Sequence, residues 1–215
     1  MSQVYIYVVD RDFGFAPNPF HGSCTLATCK PRLRRVCKAG DWVIGVGGRR
    51  LKATGRCVFA MRVTKTMSFD RYWHDPGSFD KRPVRNGSLR MMVGDNVYSR
   101  DPSTGQWHQA DSHHSNSDGT PNPHNLNNDT GIDRVLISTD YFYFGKSAPL
   151  IPVSILEDLG YRNGRNYRSF SLTQGTPLIA WLHDAYGNRK NLVVDDPFDF
   201  DNGHKRYSVH GNKIS

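Results

Sequence analysis

Residues 40–64, GDWVIGVGGRRLKATGRCVFAMRVT, decide the architecture. Trp42 to Val46 is a short apolar run that stops at Gly47-Gly48, the composition of a strand entering a turn. Beyond the turn, Gly55 to Thr64 alternates. Cys57, Phe59, Met61 and Val63 share one face, and Arg56 and Arg62 lie on the other, which is the period of two that a strand requires. Upstream, Val4, Ile6 and Val8 alternate with Tyr5, Tyr7 and Val9, predicting a first strand. It leads into RDFGFAPNPFHG, a loop of turn formers and aromatics. Pro31 suits the first turn of a short helix that carries Leu33, Val36 and Cys37 on one face and stops near Gly40. The expected fold is α+β: a small mixed β-barrel or strongly curved sheet, with short helices in the connections.

Further along, Ser68 caps a brief helix bearing Phe69, Tyr72 and Trp73. Leu89 to Val93 reads as a weak strand. Residues 99–131 form a long polar loop, rich in Ser, Asn, Asp, Gly, Pro and His. A connection of that length belongs either to a functional loop or to a mobile one. Val135 to Ser138 and Tyr141 to Gly145 read as strands. Ser154 with Glu157 is a capping box, Thr176-Pro177 opens another helix ending near Gly187, and Leu192 to Val194 reads as a last strand. The tail, residues 203–215, lacks periodicity, and part of it is expected to be disordered. The length of 215 residues suits one domain spanning 1–215.

Composition excludes several chemistries. Glu157 is the only glutamate, which removes the zinc-protease motif H-E-x-x-H, the H-x-E signature of zinc deaminases and any glutamate pair for glycoside chemistry. No Walker A sequence and no G-x-S-x-G elbow is present. Arg50 stands where G-x-G-x-x-G needs its last glycine. No apolar run is long enough to span a membrane, and MSQVYIYVVDRD lacks the pattern of a secretory leader, so the expected setting is cytoplasmic. The gaps between Cys24, Cys29, Cys37 and Cys57 fit no common zinc spacing. Reduced thiols and no bound metal or cofactor are expected.

Charge is uneven. The chain carries a formal +8, made of +11 over residues 1–100 and −3 over residues 101–215. A basic half concentrates phosphate groups or polyanions, unless its arginines only decorate a solvated face.

The strings DFGFAPNPFHG, CTLATCKPRLR, GDWVIGVGG, FDRYWHD, GDNVY and SHH together resemble the second of the nucleotide-modification-associated domain families of bacteria and phages. The likeness covers most of residues 3–150. It implies a place beside DNA-base and nucleotide modification systems, with partner enzymes of such a system, and it carries no chemistry of its own. In the order of its G-D strand, V strand and aromatic-acid segment, the chain is also similar to PUA-like folds, including EVE and ASCH domains, which recognise nucleobases in a barrel pocket.

Several constellations are candidates for a site. Lys30, Arg32, Arg34, Arg49 and Arg50 would bind phosphate by charge and by bidentate geometry, and Gly47 and Gly48 would permit a close backbone approach. Phe20, Trp42, Tyr72 and Trp73 are candidate stacking surfaces or core rings. Asn18, between two prolines, would offer an amide to a base edge or simply form a turn, and Asn96 is a further polar contact. His113, His114, Asp95 and Cys24 are the candidates for acid–base or nucleophilic work.

Two functional readings stand. In the first, the protein recognises a possibly modified base, in a nucleotide or a nucleic acid, within an aromatic pocket flanked by Arg and Lys. In the alternative, an enzyme modifies or hydrolyses a nucleotide or nucleobase in that pocket. A purely structural subunit is the third class. The expected pocket is lined by Trp42, Asn18 and Tyr72 or Trp73, with Lys30 and Arg32 at its rim.

Overall fold

The computed structural model describes residues 2–215. Its strands and helices are, in chain order, β1 (Gln3–Val9), β2 (Cys24–Leu26), α1 (Pro31–Val36), β3 (Trp42–Gly47), β4 (Cys57–Arg62), β5 (Lys65–Met67), α2 (Phe69–His74), α3 (Leu89–Met92), β6 (Tyr98–Arg100), β7 (Trp107–Gln109), α4 (Pro123–Thr130), β8 (Val135–Ser138), β9 (Asp140–Tyr143), α5 (Val153–Asp158), β10 (Tyr167–Ser171), α6 (Leu172–Tyr186), β11 (Tyr207–Ser208) and β12 (Lys213–Ile214). The architecture is mixed α/β, with several sheets and short helices.

The main sheet has the order β10-β1-β3-β4-β9. β1 and β3 run parallel, with Val4 opposite Trp42 and Val8 opposite Val46; the other pairings are antiparallel. A parallel pair needs a crossover, which β2 and α1 supply. β3 is buried along its whole length, so it reads as an unbroken apolar run without alternation. A second sheet, β2-β8-β5, draws β5 away from β4. Among the described residues the sheets therefore stay open, and no closed barrel forms.

Gly45 and Gly47 of β3, and Gly48 just beyond it, serve close packing within the chain. A side chain at Gly45 would overlap the Phe59 ring, one at Gly47 would meet the Ala53 backbone, and one at Gly48 would meet the Asp10 carboxylate.

Some elements differ from the sequence expectation. Leu89–Met92 is a helical turn, with the Met92 amide donating to the Ser88 carbonyl at 2.9 Å, because Leu, Arg and Met are good helix formers and the segment pairs with no strand. α5 begins one residue before Ser154, so Ser154 does not cap it. α6 begins at Leu172 with a capping box between Ser171 and Gln174, and Pro177 lies inside it. The polar segment 99–131 carries β6, β7 and α4, and the tail carries the hairpin β11–β12.

Two apolar clusters share the interior. One joins β1, β3, β4 and β9 to α6. The other gathers Phe13, Phe15, Phe20, Phe69, Tyr72 and Tyr98. A polar pin runs through the second. The buried Lys81 ammonium donates to the Asn18 carbonyl (3.1 Å), to Asn18 Oδ1 (2.9 Å) and to the Ser23 carbonyl (2.9 Å). Asp95 accepts from Thr25 Oγ1 at 2.7 Å and from the Tyr72 hydroxyl at 2.8 Å. Among the described residues no helix is long and apolar enough to cross a membrane.

Candidate active site

A cleft of about 700 Å³ opens where the carboxyl end of β1 meets the start of α1. Its walls come from Tyr7–Arg11, Phe13, Phe15, Cys29–Leu33, Arg50, His113, His114 and the tail residues Tyr207, Val209 and Asn212. That volume lies within the range of small-molecule sites, and the lining mixes aromatic and aliphatic walls with several charged and polar side chains.

Cys29 stands on the sharp turn between β2 and α1. Its φ is +57° and that of Lys30 is +41°, a left-handed conformation that side chains seldom adopt. Two such residues in succession cost on the order of 1–3 kcal/mol each. A strained strand-to-helix turn that lifts one side chain into a cleft is the geometry by which nucleophiles are exposed. Cys29 is also the one partly exposed thiol; Cys24, Cys37 and Cys57 are buried. Burial pushes the Cys24 thiol up to about 12 and raises Cys37 and Cys57 further still. The unshared feature of Cys29 is its surroundings.

His114 Nε2 lies 3.7 Å from Cys29 Sγ, and His114 Nδ1 lies 2.7 Å from Asp129 Oδ2. The buried Asp129 carboxylate also accepts from the Tyr98 hydroxyl (2.9 Å) and, on its other oxygen, from the Cys29 backbone N–H (2.8 Å). Thiol, imidazole and carboxylate thus stand in line, the order in which a base is oriented by a third group. Burial opposes charge on His114, but Asp129 and Cys29 outweigh it and raise its pKa to about 10. Burial also opposes charge on Asp129, and His114 and Arg34 reverse that, holding it below the usual carboxylate range.

His113 is the counterpart. Its Nδ1 faces the Lys205 carbonyl at 2.6 Å, so that nitrogen donates and Nε2 is left as an acceptor. Burial, then the neighbouring His114 charge, push it down to about 3. Two adjacent histidines are held in opposite protonation states, the arrangement that separates acid from acceptor.

Side chains rather than periodic backbone hold this segment. The Asn122 side chain caps α4 by accepting from the Asn125 amide at 3.1 Å. Gln109 Nε2 and Asn125 Nδ2 both donate to the His114 carbonyl, at 2.9 and 2.8 Å. α4 then delivers Asp129 in its last turn. Beneath the site lies Arg34, fully buried. Its Nε donates to the Cys29 carbonyl (2.8 Å), its Nη1 to the Ile132 (2.7 Å) and Arg134 (2.6 Å) carbonyls, and its Nη2 to the Asp129 carbonyl (2.6 Å).

The expected site residues divide accordingly. Lys30, Arg32, Arg50, His113 and His114 meet in the cleft. Arg34 does not face a ligand; its guanidinium is spent on backbone carbonyls. Asn18 and Tyr72 are buried in the polar pin, as is Asp95, and Asn96 Nδ2 donates to the Tyr72 and Ser78 carbonyls at 3.0 and 3.1 Å. Cys24 and Phe20 are core residues. Trp42 lines a separate, smaller cavity with His183. Trp73 packs under Arg82, 4.3 Å from the ring centre. Arg49 is exposed outside the cleft, and Gly47 and Gly48 pack internally. The expected pocket around Trp42, Asn18 and Tyr72 is therefore not formed, because the core takes these polar and aromatic groups. Cys29 and Asp129 were not foreseen. The only trace of them in the sequence is the chain order Cys, His, Asp and a proline two residues after Cys29.

The three groups also satisfy the spacing of metal ligands, with one ligand atom each inside 4.8 Å. Their hydrogen bonding favours the relay, since Asp129 occupies one ring nitrogen of His114 and Cys29 faces the other.

Fold and site together define a mixed α/β protein with a thiol–imidazole–carboxylate line at the floor of a cationic, aromatic cleft. The chain belongs to the nucleotide modification associated domain 2 family, whose model matches residues 1–204. No curated protein and no solved structure matches it.

Proposed function

We propose that the protein is a thiol-dependent enzyme of a nucleotide modification system, acting by covalent catalysis on a nucleotide or nucleobase. The observation that carries this is the Cys29–His114–Asp129 line inside the cleft. Cys29 is the nucleophile. His114 moves the proton between Sγ and the leaving group, and Asp129 fixes the Nδ1–H tautomer and supports the imidazolium. Tyr207, partly exposed in the cleft, provides a ring surface for a base, and Arg11, Lys30, Arg32 and Arg50 provide charge for phosphate. Family membership supports the nucleotide class, and no metal is required for the step.

Iodoacetamide labelling followed by peptide mass analysis tests the reading. Cys29 should be alkylated well ahead of Cys24, Cys37 and Cys57, and His114→Ala should slow the reaction about tenfold or more. Nucleoside phosphates should protect Cys29 more strongly at low salt than at high salt. Labelling of Cys29 no faster than that of the buried thiols would remove the enzyme reading. It would leave recognition of a base in the cleft, seen as saturable nucleotide binding unaffected by Cys29→Ser. Zinc that binds stoichiometrically and blocks labelling until a chelator is added would instead assign the three groups to a metal.

A further inference from the structure

Tyr7 stands out among the residues of the cleft. Its side chain is buried, yet its hydroxyl has no hydrogen-bond partner. Leaving a buried hydroxyl unpaired is unfavourable, and such groups in native proteins call for an explanation. The ring is fixed on both sides. It packs edge-on against Phe59, with centroids 5.8 Å apart, and the Lys30 ammonium sits 4.6 Å above it. Strand β1 holds its backbone between β3 and β10. Tyr7 therefore cannot swing away to find water, and it lines the same cleft as Cys29.

The Cys29 site also lacks one component. Its own backbone N–H is committed to Asp129 at 2.8 Å, so it cannot serve as the amide donor that thiol enzymes commonly aim at a developing oxyanion. The Lys30 amide, one residue on, donates to no other group among the described residues and offers one hydrogen bond to a developing oxyanion; a side-chain donor from another element would complete the pair.

We infer that Tyr7 is that donor, a catalytic residue whose hydroxyl bonds the oxygen of a carbonyl under attack by Cys29, so that the substrate class is an acyl or carbonyl-bearing nucleotide derivative. This rests on Cys29 being the nucleophile. Sγ, its proton passed to His114, adds to the carbonyl carbon, the C=O π pair moves to oxygen, and that oxyanion accepts a hydrogen bond from the Tyr7 O–H. Collapse re-forms the carbonyl and breaks the bond to the leaving group, which takes a proton from His114. Water, deprotonated by His114, then attacks the thioester, and its collapse releases a carboxylate and restores the Cys29 thiol. The steps consume only water.

Two probes on the full chain separate this idea from the nucleophile itself. Iodoacetamide displaces iodide at a saturated carbon and creates no oxyanion, whereas 4-nitrophenyl acetate acylates through one. Removing an oxyanion donor costs about 10²–10³ in rate for a full substrate, so Tyr7→Phe should slow acetylation of Cys29 by about tenfold or more. Alkylation should stay within about twofold of the wild type. Because the substitution removes an unpaired buried hydroxyl, the variant should melt at the same temperature or higher, a result a structural tyrosine would not give. Equal losses with both probes would make Tyr7 a mere support for the thiol, and no loss with either would leave it idle; both outcomes overturn the inference. Absence of iodoacetamide labelling in the wild type would instead overturn the nucleophile on which it rests.

Discussion

One oxygen of Asp129 holds His114 Nδ1 at 2.7 Å, while the other holds the backbone amide of Cys29 at 2.8 Å. A single buried carboxylate thus orients the base and fixes the turn that carries the thiol. Asp129→Asn keeps the shape and removes the charge. With the Asp129 charge gone and only Cys29 left against burial, the His114 pKa should fall from about 10, which a histidine-resolved NMR titration would detect. Breaking a buried charged pair should also cost about 3–5 kcal/mol of stability in urea unfolding. An unchanged His114 titration would show that Asp129 does not govern the base.

Arg34 should behave as a positioning residue. Four bonds to carbonyls of residues 29, 129, 132 and 134 exceed what a lysine ammonium can make. Arg34→Lys should lower stability by about 2–4 kcal/mol, since each carbonyl left unpaired costs about 1–3 kcal/mol and some of the four find new partners. It should also slow Cys29 alkylation under conditions where the variant is still folded. A variant that loses stability yet keeps the wild-type alkylation rate would confine Arg34 to the core.

The histidine pair sets a stability profile of known sign. The raised pKa of His114 means that its contribution is fully present below about pH 6.5 and is lost as pH rises through the folded value near 10. His113 acts on the acid side. The unfolded chain takes up its proton below about pH 6.5, but the folded chain does so only near pH 3, so stability falls across that interval by up to about 1.4 kcal/mol per pH unit. Asp12 opposes this: burial raises it to about 6, so the folded state gains stability as pH falls from there toward the ordinary carboxylate value. Comparing the wild type with His113→Gln isolates the histidine. The variant should lack His113's share of the acid slope. Parallel stability curves between pH 6.5 and 4 would contradict the buried, neutral assignment.

The legibility of the sequence follows from what folds each part. β3 and β4 are driven by apolar burial, which leaves unbroken apolar runs at Trp42–Val46 and at Cys57–Met61, the second flanked by Arg56 and Arg62, and both are readable as strands although β4 is buried on both faces and not on one. α1 was visible because Pro31 fits only one end of a helix. The segment from Ala110 to Asn122 folds through side chains that reach particular carbonyls, and such bonds leave no period; α4, which follows, carries Leu126 as its one aliphatic residue and so shows no apolar stripe. The histidines there were conspicuous by type, but their partners were not. Cys29 was hidden for a related reason. Its left-handed backbone is imposed by tertiary bonds from Asp129 and Arg34, where a glycine would have announced the turn. Of the expected cations, Lys30, Arg32 and Arg50 line the cleft while Arg34 is buried and Arg49 lies outside it, because Arg34 is indistinguishable by composition from Arg32 until burial separates them.

The Arg34 clamp also makes the thiol a gauge of assembly. It ties the turn at Cys29 to chain about a hundred residues later, at Asp129, Ile132 and Arg134. Contacts of such sequence separation are among the slower ones a chain makes. The relay cannot exist in a partly folded molecule in which the two regions have not docked, so a half-formed protein would carry Cys29 as an ordinary cysteine. Pulse labelling during refolding would time the docking of these distant segments from a single side chain, with no added probe.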